Sequence, residues 1–206
     1  MAYYAAGLLP EPARVLVEAH LQIRAAHHPL VERLETFAGA LLEDTPPAAL
    51  HARDAKLDAI FKASAVADPV IRLPAAASVA TGVLPDAIRS FIGMDLDTVP
   101  WKTKIPGFKE FEVGTLDGCE VNLIWIRAGR AVPKHTHGGC ELTLVLDGAF
   151  NDGIGRYGRG DISVADDAVD HRPVAEDERP CIAFAVVDAP LRLTGSLRQL
   201  FGDLIG

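Results

Sequence analysis

The fold is decided by the stretch Gly129-Arg130-Ala131-Val132-Pro133-Lys134-His135-Thr136-His137-Gly138-Gly139-Cys140-Glu141, which continues as Leu142-Thr143-Leu144-Val145-Leu146-Asp147-Gly148. Successive side chains of an extended segment point to opposite faces, so His135, His137 and Glu141 share one face. Gly138 and Gly139 allow the backbone to bend between the histidines and the glutamate. The apolar residues 142–146 predict a buried strand behind them. Two imidazoles and a carboxylate that converge on one point suit a divalent first-row metal.

These residues also carry a resemblance to the cupins. The first cupin motif reads G-x5-H-x-H-x3-E-x6-G, and every fixed position of it is filled here, by Gly129, His135, His137, Glu141 and Gly148. The resemblance implies a β-sandwich of the jelly-roll type that binds a metal ion.

The second cupin motif, G-x5-P-x-G-x2-H-x3-N, is matched in part. Gly160 and His171 stand at the right separation, whereas Asp166, Ala168 and Ala175 replace the proline, the second glycine and the asparagine. The histidine position is therefore kept while the turn residues differ, and His171 is the expected third imidazole.

The predicted metal ligands are His135, His137, Glu141 and His171. Three neutral imidazoles and one carboxylate fit Zn²⁺, Fe²⁺, Mn²⁺ or Ni²⁺, and the residues do not choose among them. Our first expectation is one zinc ion per chain. Four protein ligands fill a tetrahedral site, whereas an octahedral metal keeps two positions open for a substrate and oxygen. The coordination number therefore separates a regulatory site from an oxygenase.

Composition narrows the classes of partner. The chain has 206 residues, 49% of them hydrophobic, and a formal net charge of -8. That charge argues against direct DNA binding, which needs a basic surface, and leaves room for a basic protein partner. No run approaches the ~20 apolar residues of a membrane span, and the N-terminus shows no signal-peptide pattern. Three cysteines without a CxxC spacing favour a reducing compartment, so we expect a cytoplasmic protein.

The pattern of residue types along the chain predicts an α+β fold in two parts. We expect a small helical module over residues 1–64, a linker over 65–84 that is rich in Ala, Val and Pro, and a cupin domain over 85–206. In the last part, short β-branched and aromatic runs alternate with Gly, Asp and Pro, which is typical of a β-sandwich or barrel. The predicted strands are 108–114, 120–127, 142–150, 161–165 and 181–187, and a short helix is predicted over 86–92.

The first 64 residues predict three helices. Pro12 suits a first helical turn, and His28-Pro29 should end that helix. Leu34, Phe37 and Leu41 then follow steps of three and four and form one apolar stripe. Three such helices have too little core to be very stable alone, so we expect them to need a metal, a partner or a second copy in a homodimer.

Almost the whole chain resembles the ChrR family of anti-sigma factors, which join a helical zinc-binding module to a C-terminal cupin. The resemblance rests on Tyr4-Ala5-Ala6-Gly7-Leu8-Leu9, His20-Leu21, residues 141–150, Gly160-Asp161-Ile162 and Asp188-Ala189-Pro190-Leu191-Arg192. It implies that the helical module binds an extracytoplasmic-function sigma factor and blocks its access to RNA polymerase. It also implies that the cupin is needed to release the sigma factor under oxidative stress such as singlet oxygen.

The helical half departs from the family at its zinc site. The family pattern is H-x3-C-x2-C with a further histidine upstream, whereas this chain has His20, Arg24 and His27 and no earlier histidine. A guanidinium cannot bind a metal, and on one continuous helix His20 and His27 would lie about 10 Å apart. We therefore predict that both histidines lie on the helix surface and that the N-terminal half holds no metal.

Two hypotheses stay open at this point. The first is a ChrR-like transcription regulator whose metal-binding cupin is the sensing module, and the resemblance along the whole chain favours it. The second is a metal-dependent cupin oxygenase acting on a small molecule, with the helical segment as a dimerisation arm. The complete ligand set and the incomplete zinc site favour the second. For the regulator, we expect that removing residues 1–64 leaves a folded cupin.

Overall fold

The computed structural model describes residues 1–63 and 82–196. Within these ranges the α-helices are α1 (Ala2–Ala5), α2 (Glu11–Ile23), α3 (His28–Glu43), α4 (Arg53–Lys62) and α5 (Asp86–Ile92), with 3-10 turns at Ala25–His27 and Leu96–Thr98. Most of the predicted linker 65–84 lies outside the described residues. None of the helices in the described part is both long and apolar enough to span a membrane.

The strands begin at residue 102. They are β1 (Lys102–Ile105), β2 (Phe108–Leu116), β3 (Cys119–Ile126), β4 (His135–His137), β5 (Glu141–Asp147), β6 (Ala149–Asn151), β7 (Arg156–Gly158), β8 (Ile162–Ala165), β9 (Val174–Ala175), β10 (Cys181–Val187) and β11 (Leu191–Leu193). Helices followed by antiparallel strands confirm the predicted α+β class. The short strands β1, β4, β7, β9 and β11 were not predicted.

The strands form two layers. A six-stranded antiparallel sheet has the order β1-β2-β3-β10-β5-β8. The second layer consists of a three-stranded sheet of order β7-β6-β9 and a two-stranded sheet of β11 and β4. Two isolated antiparallel bridges, Ala131–Val174 and His135–His171, extend the pairing in this layer. The layers enclose the interior of a β-sandwich, as predicted.

Side chains along the six-stranded sheet alternate between its two faces. One face packs on the apolar core at the helices, and the other faces the inside of the sandwich. On β10, Phe184 and Val186 join the large apolar core on the helical side, while Ala183 and Ala185 face the inside of the sandwich. Because both faces are covered, β10 is an almost unbroken run of apolar residues rather than an alternating one.

Helix α2 belongs to the same core as the sheet. Ala13, Leu16 and Ala19 of α2 are buried in one cluster with Leu144 and Phe184 of the sheet. The boundaries 1–64, 65–84 and 85–206 stay predictions, but deleting residues 1–64 would expose this cluster to water. We therefore no longer expect the cupin to fold independently, and we expect deletion of residues 1–64 to lower its stability.

The predicted strand over 142–150 is two strands in different sheets. Gly148 divides β5 from β6 with a φ of +69°, and a Cβ at this position would overlap the carbonyl oxygen of Pro180. Only glycine combines this backbone conformation with so close an approach. The last glycine of the first motif, Gly148, is therefore the corner where the chain passes from one layer to the other.

Helices α3 and α4 contribute little to the core. Val31 is the buried residue of α3, and α4 has none. The predicted stripe lies on α3, but Phe37 and Leu41 on it are exposed rather than packed within the described part of the chain.

Candidate metal centre

Three elements bring the predicted ligands together inside the sandwich. β4 carries His135 and His137, and Glu141 is the first residue of β5. His171 lies opposite His135, because the backbone N–H of each donates to the carbonyl oxygen of the other at 3.0 Å. The first three residues converge as predicted, but β4 and β5 belong to different sheets, so they meet across the sandwich rather than on one face of an extended segment. All four side chains line one interior cavity. We call these four residues the sandwich cluster.

The distances within the sandwich cluster are short. His171 Nε2 lies 3.1 Å from His135 Nε2 and 3.2 Å from His137 Nε2. Glu141 Oε2 lies 3.2 Å from His137 Nε2 and 3.9 Å from His171 Nε2. One ligand atom from each residue falls within 4.8 Å of all the others. Metal–ligand bonds of about 2.1 Å would place neighbouring donors about 3.0 to 3.4 Å apart, so this arrangement can surround one ion.

The protonation of His135 supports the same conclusion. Its Nδ1 lies 2.7 Å from the carbonyl oxygen of Pro133, which can only accept a hydrogen bond, so Nδ1 carries the proton. The Nε2 atom of the neutral ring then points its lone pair at the other three donors. A proton held by a backbone carbonyl and a lone pair aimed at the site is the form in which histidine binds metals.

Asp152 lies behind the cluster and was missed by the sequence reasoning. Its Oδ2 is 3.6 Å from His171 Nδ1, and both side chains are buried. Its Oδ1 accepts hydrogen bonds from the backbone N–H groups of Ile154 and Gly155, which fix the carboxylate in place. An acid in a turn between two short strands gives no sign in the sequence of the histidine that it faces.

Burial and neighbouring charges shift the pKa values of His135 and Glu141. Burial lowers the pKa of His135, although its bond to the carbonyl of Pro133 partly opposes this. Burial raises the pKa of Glu141, but the hydrogen bond from His137 and the nearby imidazoles outweigh it, so the pKa is lowered overall. Both shifts favour the metal-binding forms, a neutral imidazole and a carboxylate.

A second group of histidines, the helix cluster, consists of His20 and His27. The predicted separation of about 10 Å was wrong, and so was the surface position of His20, whereas His27 is exposed as predicted. Helix α2 ends at Ile23, and the 3-10 turn that follows folds His27 back until its Nδ1 is 2.8 Å from His20 Nε2. His20 is buried, and its Nδ1 lies 2.6 Å from the carbonyl oxygen of Gly160 in the turn before β8.

The turn at Gly160 is shaped to receive the end of α2. Gly160 has a φ of +86°, and a Cβ there would lie 2.7 Å from Ile23 and 2.8 Å from Arg24. Arg24 also forms an ion pair of 2.9 Å with Asp161. The helix cluster thus joins α2 to the sheet, and among the described residues it is not part of a group of three or more metal donors.

Comparison with known proteins gives consistent results for both halves of the chain. Residues 89–189 match the family described as the ChrR cupin-like domain. The chain is 38% identical to the anti-sigma-E factor ChrR of Cereibacter sphaeroides over 197 residues, which are 96% of this chain and 90% of that relative. It is 34% identical, with a TM-score of 0.68, to a chain in the crystal structure of Rhodobacter sphaeroides SigE in complex with the anti-sigma ChrR, covering 91% of this chain and 94% of that chain.

Proposed function

The chain belongs to the ChrR family, and from this premise we propose that it is an anti-sigma factor. Its N-terminal helices capture an extracytoplasmic-function sigma factor, and its cupin domain is a metal-dependent regulatory module. The similarity includes the helices as well as the cupin, since it extends over 96% of the chain. We place this action in the cytoplasm, where a sigma factor meets RNA polymerase.

The observation that carries the proposal is the apolar surface of α3 and α4. Large apolar side chains on these helices are 54–82% exposed, namely Phe37, Leu41, Leu42, Ile60 and Phe61. On α3, Phe37 and Leu41 are four positions apart and so lie on one face, and neighbouring apolar side chains exposed to this degree are typical of a protein interaction site. An amphipathic helix that lays its apolar face on a partner is a common mode of recognition.

The test is whether the full-length chain captures an extracytoplasmic-function sigma factor of its own organism when the two are co-expressed and purified. Replacing Phe37 and Leu41 with Ser should weaken capture at least tenfold, while the fold is kept because both side chains are exposed. The matched control replaces Ile154 and Val164, which are 64% and 60% exposed on the sandwich, with Ser. Equal capture by both double variants would contradict this assignment of the surface.

For the cupin, we propose that His135, His137, Glu141 and His171 bind one divalent ion, with zinc as the first expectation and Fe²⁺, Mn²⁺ or Ni²⁺ open. When bound, the ion would supply a positive charge that ties β4, β5 and the segment at His171 together. The support is the convergence of three Nε2 atoms and one carboxylate oxygen. Elemental analysis of the purified protein should give close to one equivalent per chain and identify the metal.

An oxygenase is the second candidate, and the cavity beside the sandwich cluster favours it. A small molecule in that space would lie against the four ligand side chains. An oxygen electrode distinguishes the two functions. Sustained oxygen consumption with a small diketone, together with no capture of a sigma factor, would favour the enzyme.

A further inference from the structure

The interior of the sandwich contains a cavity of about 300 Å³. It lies between the six-stranded sheet and the second layer, and the four residues of the sandwich cluster all line it. Protein interiors are close-packed, and a space of this size is at the small end of the range of about 300–1,000 Å³ found for ligand pockets.

Small side chains on the central strand β10 create the space. Ala183 and Ala185 face the cavity, whereas Phe184 between them faces the helical core. Ala185 is paired with Asn122 on one neighbouring strand and with Thr143 on the other. A larger residue at position 185 would therefore occupy part of the cavity.

The lining is chiefly apolar and contains a few uncharged polar groups. The apolar part comes from both layers and includes Phe108, Ile124, Ile126, Val132 and Phe150. Asn122, Thr143 and Ser163 supply one amide and two hydroxyls on the sheet side. Such a lining favours an apolar molecule with a single carbonyl or hydroxyl group.

The charges around the cavity disfavour an anion. No lysine or arginine is among the lining residues in the described part of the chain, whereas Glu110 and Glu120 are. Asp152 lies directly behind His171. Glu110 is ion-paired with Lys104 at 3.2 Å, so Glu141, Glu120 and Asp152 are the carboxylates that would balance a divalent ion on the sandwich cluster. An anion would therefore enter a site without an excess of positive charge.

We propose that this cavity binds a small, neutral, largely apolar organic molecule against the metal-binding side chains. The inference rests on the metal site proposed above and adds the chemical class of its ligand. Metal content and sigma-factor capture are measured separately from ligand binding, so failure of this inference is distinguishable from failure of the proposed function.

The test uses two probes of matched shape. 2-Acetylnaphthalene is neutral and 2-naphthoate is an anion, and they have the same number of non-hydrogen atoms. Binding to the metal-loaded full-length chain is measured by titration calorimetry and by equilibrium dialysis. We expect saturable 1:1 binding of the neutral probe and at least tenfold weaker binding of the anion. No binding of the neutral probe up to its solubility limit, or equal or tighter binding of the anion, would overturn the proposal.

Variants locate the binding site. Ala185→Leu should weaken binding of the neutral probe at least tenfold at unchanged metal content. Ala168→Leu, the same change at an exposed loop position, should not. If Ala185→Leu does not fold, Ala183→Val provides a milder reduction of the cavity. Neutral-probe affinity that is unchanged in a folded cavity variant would place the probe elsewhere and refute the assignment. Replacing Glu110 and Glu120 with Gln should bring the affinity of 2-naphthoate closer to that of the neutral probe.

Discussion

His135, His137 and His171 meet Glu141 inside the sandwich, whereas His20 and His27 meet each other at the end of α2. In both clusters a ring nitrogen hydrogen-bonds to a backbone carbonyl, of Pro133 in one and of Gly160 in the other. In both, another ring nitrogen lies within about 3 Å of a second histidine. The imidazoles alone therefore do not distinguish a metal site from a structural contact.

The neighbours of the histidines make the difference. The sandwich cluster adds a third imidazole and a carboxylate, so four donors surround one point. In the helix cluster the next residue at hand is Arg24, whose guanidinium is directed to Asp161. A guanidinium repels a cation and offers no lone pair. The helix cluster is consequently a hydrogen-bonded contact that holds α2 on the sheet, in the place where the family pattern has a zinc site.

The strongest test of this contrast removes two histidines from each cluster in turn. Replacing His135 and His137 with Ala should reduce the metal content from about one to zero. If the ion is present at 1,000 times its Kd, its loss lowers stability by about 4 kcal/mol, or the Tm by on the order of 10 °C. Replacing His20 and His27 with Ala should leave the metal content unchanged. Metal retained by the first variant, or lost from the second, would contradict the comparison.

A milder change tests the carboxylate behind the sandwich cluster. In Asp152→Asn, the amide can still accept from Ile154 and Gly155 but places a donor towards His171 Nδ1. Loss of a hydrogen-bonded outer carboxylate typically lowers metal affinity by about 10- to 100-fold, and because the separation here is 3.6 Å we expect the lower end of that range. Competition with a chelator measures this, and Asp54→Asn at a 93% exposed side chain is the control. Unchanged affinity would mean that Asp152 does not orient His171.

The matching change in the helix cluster is His20→Ala. It leaves the carbonyl oxygen of Gly160 without its side-chain donor at a buried contact, which should cost about 1–3 kcal/mol. In a chain of this size the Tm should fall by several degrees, at unchanged metal content. His20→Asn keeps a donor that can reach Gly160 and should recover most of the loss. A Tm for the alanine variant equal to that of the wild type would show that His20 does not stabilise the fold.

How far the sequence predicts each cluster depends on the range of its contacts. Most of the sandwich cluster follows from local spacing, since His135, His137 and Glu141 stand within seven residues, although they meet across two sheets rather than on one face of an extended segment. His171 was added by the motif. Asp152 could not be predicted, because it lies in the turn after β6 and contacts a histidine 19 positions further along the chain.

The helix cluster was mispredicted for a related reason. The estimate of 10 Å assumed that α2 continues through residue 27, whereas Arg24 leaves the helix with φ -112° and ψ 62°. Its side chain pairs with Asp161, 137 positions away in the chain. The point at which α2 ends is thus set together with a tertiary contact, which helix propensities and periodicity do not contain. The same holds for the packing of α2 on the sheet.

The smallest expected effect is the pH dependence of the helix cluster. Burial lowers the pKa of His20 below 6.5, with smaller lowering effects of His27 and Arg24, while the bond to the carbonyl of Gly160 and the charge of Asp161 partly oppose it. Below pH 6.5 the unfolded chain therefore binds a proton at His20 more readily than the folded chain does. The stability that neutral His20 provides is present above pH 6.5 and is lost as the pH falls towards the folded-state pKa, by at most about 1.4 kcal/mol per pH unit.

Urea unfolding of the wild type and of His20→Asn between pH 7.5 and 5.5 isolates this contribution, since the sandwich cluster is common to both. The wild type should lose more stability than the variant, and parallel curves would show that the protonation of His20 is not linked to folding.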